Sequence, residues 1–89
     1  CNPDVAKDML SAAITVLGAV HTWNDWNIKE VLGGLAEGLD VKTATLMWPV
    51  RIAASGKAVT PGGAVEICRI LGQEETIRRL KIGLEKLKG

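Results

Sequence analysis

An all-α fold, a small bundle of about five helices, follows from three observations on this 89-residue chain. Apolar residues recur at three- and four-residue spacing over long segments, and no stretch shows the strict alternation of a strand. Leu, Ala, Glu and Lys, all strong helix formers, make up much of the composition. The breaks between periodic segments carry the chemistry that stops and starts helices, Gly56 and Gly72 among the stops and Thr60-Pro61 among the starts. Apolar residues are 47% of the chain with Phe and Tyr absent, so the core must be aliphatic, with Trp23, Trp26 and Trp48 as its only large plates. A chain of this length buries one core, so residues 1–89 are expected to form a single helical domain.

The first helix is expected over residues 3–21. Asn2-Pro3 supplies a cap and a first-turn proline, and Val5, Met9, Ala12, Ala13, Val16, Leu17 and Val20 form its stripe. His21 follows without a second histidine or an acidic cluster to share a metal, so it is expected exposed or satisfied. Asn27 with Glu30 has the spacing of a capping box, which places the start of a second helix there. Its stripe is Ile28, Val31, Leu32, Leu35 and Leu39. Gly33, Gly34 and Gly38 each lower helix stability by roughly 1 kcal/mol relative to Ala, which fits either close packing against a neighbour or a locally weak helix. The third helix spans Thr43 to Ser55 with Pro49 inside, which removes one backbone hydrogen bond and bends it. Lys57 to Val59 form a turn. The fourth runs from Pro61 to Leu71, with Ala64, Ile67, Cys68 and Leu71 on one face and Val65 and Ile70 on the other, so it is expected to be largely buried. The fifth covers Gln73 to Lys88, with Glu74 and Glu75 at its positive end and Lys86 and Lys88 at its negative end. Its stripe is Ile77, Leu80, Leu84 and Leu87, and Arg78, Arg79 and Lys81 are expected on solvated faces.

Formal charge is only +1, below the basic excess usual in a dedicated nucleic-acid binder. Its distribution is uneven. Residues 1–40 carry two basic side chains against six acidic ones, a net −4, and residues 41–89 carry nine against four, a net +5. Such a division could present a positive face to a phosphate backbone, although ordinary solvated helix faces account for it equally well. Cys1 and Cys68 are too few for a disulfide framework or a zinc site, and both are expected as reduced thiols in a cytoplasmic protein. The apolar stretch from Met9 to Val20 falls short of the roughly 20 residues of a membrane span. Trp23 and Trp26 could form a base-stacking platform, but they lie in the acidic half and are expected to cover the core. Trp48 is likewise expected to pack. No active site assembles from these residues: there is one histidine, no nucleophile with a base at a recognisable spacing, no phosphate loop and no metal cluster. The chain begins with Cys, which suggests a piece of something longer.

The most informative stretch is Trp48 to Gly72. Arg51 is the only charge on a helix otherwise lined by Val50, Ile52, Ala53 and Ala54, and such a cation needs a partner. Thr60 can cap the next helix and Pro61 suits its first position. Gly62 and Gly63 leave the first-turn amides bare, so a polar ligand can come close to the backbone. Arg51, Lys57, Thr60, Pro61, Gly62 and Gly63 are therefore the candidate binding residues.

Pro49-Val50-Arg51, Ala54-Ser55-Gly56, Thr60-Pro61-Gly62, Ile70-Leu71-Gly72-Gln73-Glu74 and Arg79-Leu80, in this order and at these spacings, resemble the C-terminal anticodon-binding region of bacterial-type glutamyl-tRNA synthetases. Trp26 and Gly38-Leu39-Asp40-Val41-Lys42 extend the similarity upstream. The resemblance implies the distal helical subdomain of a longer ligase, which cradles the anticodon loop of tRNA(Glu), with Arg51, Thr60 and Pro61 at the positions that contact the first two anticodon bases. It also implies that ATP and Mg act in a catalytic domain outside this chain, that this segment holds no cofactor and is inactive alone, and that its neighbours are the catalytic and preceding anticodon-binding domains. A monomer with no membrane attachment is expected. One position departs from the pattern: where the family often has a leucine packing on a base, this chain has Gly63, which puts base specificity in doubt. The alternative from a different class is a helical protein-docking or structural module without RNA binding, its apolar excess packed against a neighbouring domain.

Overall fold

Asn2 opens the first helix as expected: its side chain accepts from the Asp4 N–H at 2.8 Å, and Pro3 takes the first helical position. The computed structural model describes residues 2–57 and 62–88. Among them the chain forms α1 (Pro3–Gly18), α2 (Asp25–Gly38), α3 (Thr43–Ser55), α4 (Ala64–Leu71) and α5 (Gln73–Lys88), with no strand. The fold class is the all-α bundle that periodicity indicated, and none of its helices is long and apolar enough to cross a membrane.

Three boundaries differ from expectation. Helix α1 stops at Gly18, three residues early, because Gln73 Nε2 takes the carbonyls of Leu17 and Val20 at 2.9 and 2.8 Å. Helix α2 starts at Asp25 with Asn24 as its cap; Asn27, the expected cap, instead donates its backbone N–H to Asn24 Oδ1 at 2.8 Å. Both asparagines have cap chemistry; Asn24 Oδ1 accepts the cap bond, while Asn27 Nδ2 donates to the Thr22 carbonyl at 2.8 Å. Helix α4 begins at Ala64 with Gly63 in the cap position, three residues after Pro61. The helix stops at Gly56 and Gly72 hold, with positive φ values of 75° and 85° that suit glycine.

Among the described residues helix α3 is the only one that packs against the other four, with Leu46, Pro49, Val50 and Ala54 turned inward. Around it Leu10, Leu17, Ile28, Leu32, Cys68 and Leu80 complete an aliphatic core. The Cys68 thiol is pushed up to about 11 by burial, with the Thr76 hydroxyl pulling weakly the other way, so it stays protonated at neutral pH. Helix α4 is not buried on both sides: Ala64 and Cys68 are buried, while Ile70 is 66% exposed. Trp23 does cover the core, donating Nε1 to the Cys68 carbonyl at 2.9 Å, but Trp26, expected to do the same, is 66% exposed. The α2 glycines are not at a close packing contact; a Cβ on Gly33, Gly34 or Gly38 would meet nothing within 4 Å, so the locally weak helix is the correct alternative. The close approach lies elsewhere, where a Cβ on Gly83 would sit 2.9 Å from Ala53 Cβ.

Helix α5 ties the bundle together by a device that periodicity does not reveal. Gln73, Thr76 and Arg79, three residues apart along one edge, each donate to the C-terminal carbonyls of a different helix. Gln73 serves α1, the Thr76 hydroxyl reaches Cys68 O of α4 at 3.1 Å, and Arg79 Nη1 reaches Ala54 O of α3 at 2.8 Å. Cys68 O also accepts from Trp23 Nε1 and the Gly72 N–H, whereas Ala54 O, in the last turn of α3, would be left to water without Arg79. Arg79 is thus a half-buried clasp instead of a solvated surface cation, held in place by Glu75 Oε2 at 2.7 Å.

Candidate nucleic-acid interface

Because Leu46, Val50 and Ala54 face the core of α3, residues 48 and 51, three apart, emerge together on its flank. There the Arg51 guanidinium lies over the Trp48 ring, with Cζ 4.6 Å from the ring centroid. A cation on an aromatic face is held by the ring quadrupole, worth about 0.5–1 kcal/mol at exposed sites. Trp48 remains 44% exposed, so its role is wider than the packing expected of it.

Arg51 and Trp48 form one wall of a groove of about 530 Å³. Gly63 to Glu66, at the start of α4, and Asp25, at the start of α2, line it as well. The structure therefore brings together Arg51 and Gly63, as the sequence suggested. Gly62, half-buried, adjoins the groove without lining it, and Lys57 lies exposed past the end of α3, its backbone N–H donating to Ser55 Oγ at 3.1 Å. Thr60 and Pro61 lie outside the described residues.

The start of α4 is not bare. No side chain caps it through the Gly63 position, but Glu66 folds back toward Gly62, where an added Cβ would be 3.1 Å from its Cδ and Oε2. A carboxylate in the first turn is favoured by the partial positive charge of the helix N-terminus. Among the described residues the groove is lined by one cation and two carboxylates, and Asp25 is paired with Arg69 Nε at 2.5 Å. Among the described residues no three potential metal ligands converge.

Sequence reasoning missed three members of this groove. The three-residue spacing of Trp48 and Arg51 was a usable signal, since it places them side by side on any helix. Asp25 and Glu66 arrive through the packing of α2 and α4 on α3, which no local pattern announces. The basic excess of the second half also disperses: Arg69, Arg78, Arg79 and Lys88 are each ion-paired.

A second hollow, of about 620 Å³, lies between α1, α3 and α5. Its lining is largely apolar, with Pro3, Ile52, Ile82 and Leu87, and Trp48 forms part of both hollows.

Comparison with known proteins matches residues 1–84 to the anticodon binding domain family. The glutamate–tRNA ligase of Clostridium tetani (strain Massachusetts / E88) is 48% identical over 87 residues, covering 98% of this chain and 18% of the relative. That of Clostridium acetobutylicum is 44% identical over the same length and shares. That of Clostridium botulinum (strain Hall) is 51% identical over 79 residues, 89% of this chain and 16% of the relative. The chain therefore spans less than a fifth of the length of these curated relatives.

Proposed function

Because the chain belongs to the anticodon binding domain family, we propose that it is the anticodon-loop-binding module of a glutamate–tRNA ligase, positioning tRNA(Glu) for ATP-dependent glutamylation. Catalysis, with ATP and Mg, belongs to a domain outside this chain, and residues 1–89 form one domain that works in the cytoplasm as the C-terminal part of a longer protein. Its neighbours there are the catalytic domain and a preceding anticodon-binding domain, which reads the third anticodon base.

The observation that carries this reading is Arg51 over the Trp48 ring in a groove shared with the start of α4. Single-stranded loops are recognised by hydrogen bonds to splayed-out bases and by stacking on aromatic rings or guanidinium planes, and this groove offers both surfaces. Arg51 presents a rigid fork of donors that a lysine would not reproduce. Thr60 and Pro61 complete the proposed site, with Gly62, Gly63 and Lys57 at its edge.

Titrating tRNA(Glu) into the protein at two salt concentrations tests the proposal. Neutralising even three phosphates of a single strand makes affinity fall about 20-fold between roughly 50 and 200 mM salt. Salt-insensitive binding, or none, would count against it.

One observation favours the alternative of a protein-docking module, the apolar hollow between α1, α3 and α5. That reading expects self-association or partner capture with no RNA in the complex. Size-exclusion chromatography with and without tRNA(Glu) separates the two.

A further inference from the structure

We infer that Glu66 is a base-reading residue, its carboxylate accepting a hydrogen bond from an N–H donor on the edge of an unstacked anticodon-loop base that enters the groove beside Arg51. The inference rests on the proposed anticodon-loop function and specifies what this groove takes: a nucleobase, not a phosphate.

Charge within the groove is the first ground. Arg51 is opposed by Asp25 and Glu66 in the same lining, so a phosphate placed there would meet carboxylates at close range. A base edge carries both donors and acceptors and suits a wall of each kind. The second ground is how those carboxylates are used. Asp25 is engaged by Arg69, whereas Glu66 enters no ion pair among the described residues although it shares the groove with Arg51. Thirdly, Arg51 Cζ lies 4.6 Å from the Trp48 ring centroid, and unstacked bases are bound by stacking on aromatic rings and guanidinium groups. Carboxylates accept from exocyclic amino groups of bases, while arginine donates to base oxygens and ring nitrogens. Where Gly63 withholds a packing side chain, polar recognition by Glu66 supplies discrimination that an apolar wall would otherwise give.

The test compares affinities for an anticodon stem-loop RNA of tRNA(Glu) and for the same RNA made abasic at each loop position in turn. Wild type is expected to prefer the intact loop, with the largest loss at one position. Glu66→Gln, equal in size and uncharged, should reduce that preference about 5- to 150-fold at the same position and leave the abasic affinity nearly unchanged. Gly62→Ala gives an independent check, because the added Cβ at 3.1 Å from the Glu66 carboxylate crowds it by a few tenths of an ångström and should weaken the same preference to a smaller extent. Should Glu66→Gln instead raise affinity for intact and abasic loops alike, with the preference kept, the carboxylate only repels phosphate and the inference is overturned. A wild type that binds neither RNA refutes the anticodon-loop function itself, a result distinct from the first.

Discussion

Replacing Gly34 or Gly83 by alanine adds the same methyl group to the interior of a helix, yet the two changes should have opposite signs. In a helix interior alanine is favoured over glycine by about 0.8–1.0 kcal/mol. At Gly34, exposed and with nothing within 4 Å of the new Cβ, that gain stands alone. At Gly83 the new Cβ would lie 2.9 Å from Ala53 Cβ and 3.7 Å from Leu10 Cδ1. Carbon atoms pack best at about 3.5–4.0 Å, so α3 and α5 must separate, and overpacking of this kind costs about 1–3 kcal/mol. The net effect at Gly83 is therefore between about zero and a 2 kcal/mol loss, and the two variants should differ by about 1–3 kcal/mol. For a domain of this size each kcal/mol moves the melting midpoint about 4–8 °C. Thermal melts followed by circular dichroism, with urea titrations to check that m is unchanged, measure both. Equal rises in the two midpoints would refute the close approach of α5 to α3. A fall for Gly34→Ala would refute the exposed α2 face.

Two further predictions concern α5. Gln73→Leu removes both donors from the Leu17 and Val20 carbonyls and should cost about 1–3 kcal/mol in urea unfolding; an unchanged midpoint would mean that water satisfies these carbonyls equally well. The Glu75 carboxyl is lowered from 4.5 to about 2, first by its hydrogen bonds from Arg78 and then by those from Arg79. A depressed carboxylate contributes stability that is present above its unfolded value and lost as pH falls through the folded one. The wild-type melting midpoint should therefore drop between about pH 4.5 and pH 2 more steeply than that of Glu75→Gln, and parallel profiles would remove the Glu75 pairs from the account.

The legible parts of this fold are those written in local chemistry. Asn2-Pro3, the stripe of α3 around Leu46 and Val50, Gly56 and Gly72 each act within a few residues, so the sequence marks them where they occur. Where two residues offer the same local chemistry, as Asn24 and Asn27 do, the wrong one is easily preferred. The glycines of α2 and Gly83 of α5 show the same limit in packing. A glycine-rich helix and one bordering a close neighbour look alike until the partner helix is in place. In the candidate site Arg51 was conspicuous as the lone charge of its helix, and its spacing from Trp48 was visible. Glu66 was not, because its importance comes from α4 starting at Ala64 and setting it in the same groove as Arg51.

The central claim is that the Arg51 guanidinium, laid on Trp48, contacts the anticodon loop. Its most direct test is the dissociation constant of tRNA(Glu) for wild type, Arg51→Ala and Arg51→Lys at one fixed low salt, with melts confirming that each variant is folded. Loss of a base-edge contact predicts weakening of about 5- to 150-fold for Arg51→Ala, and Arg51→Lys should recover little of it because a point charge does not replace the planar fork. Equal dissociation constants for all three proteins would contradict the account.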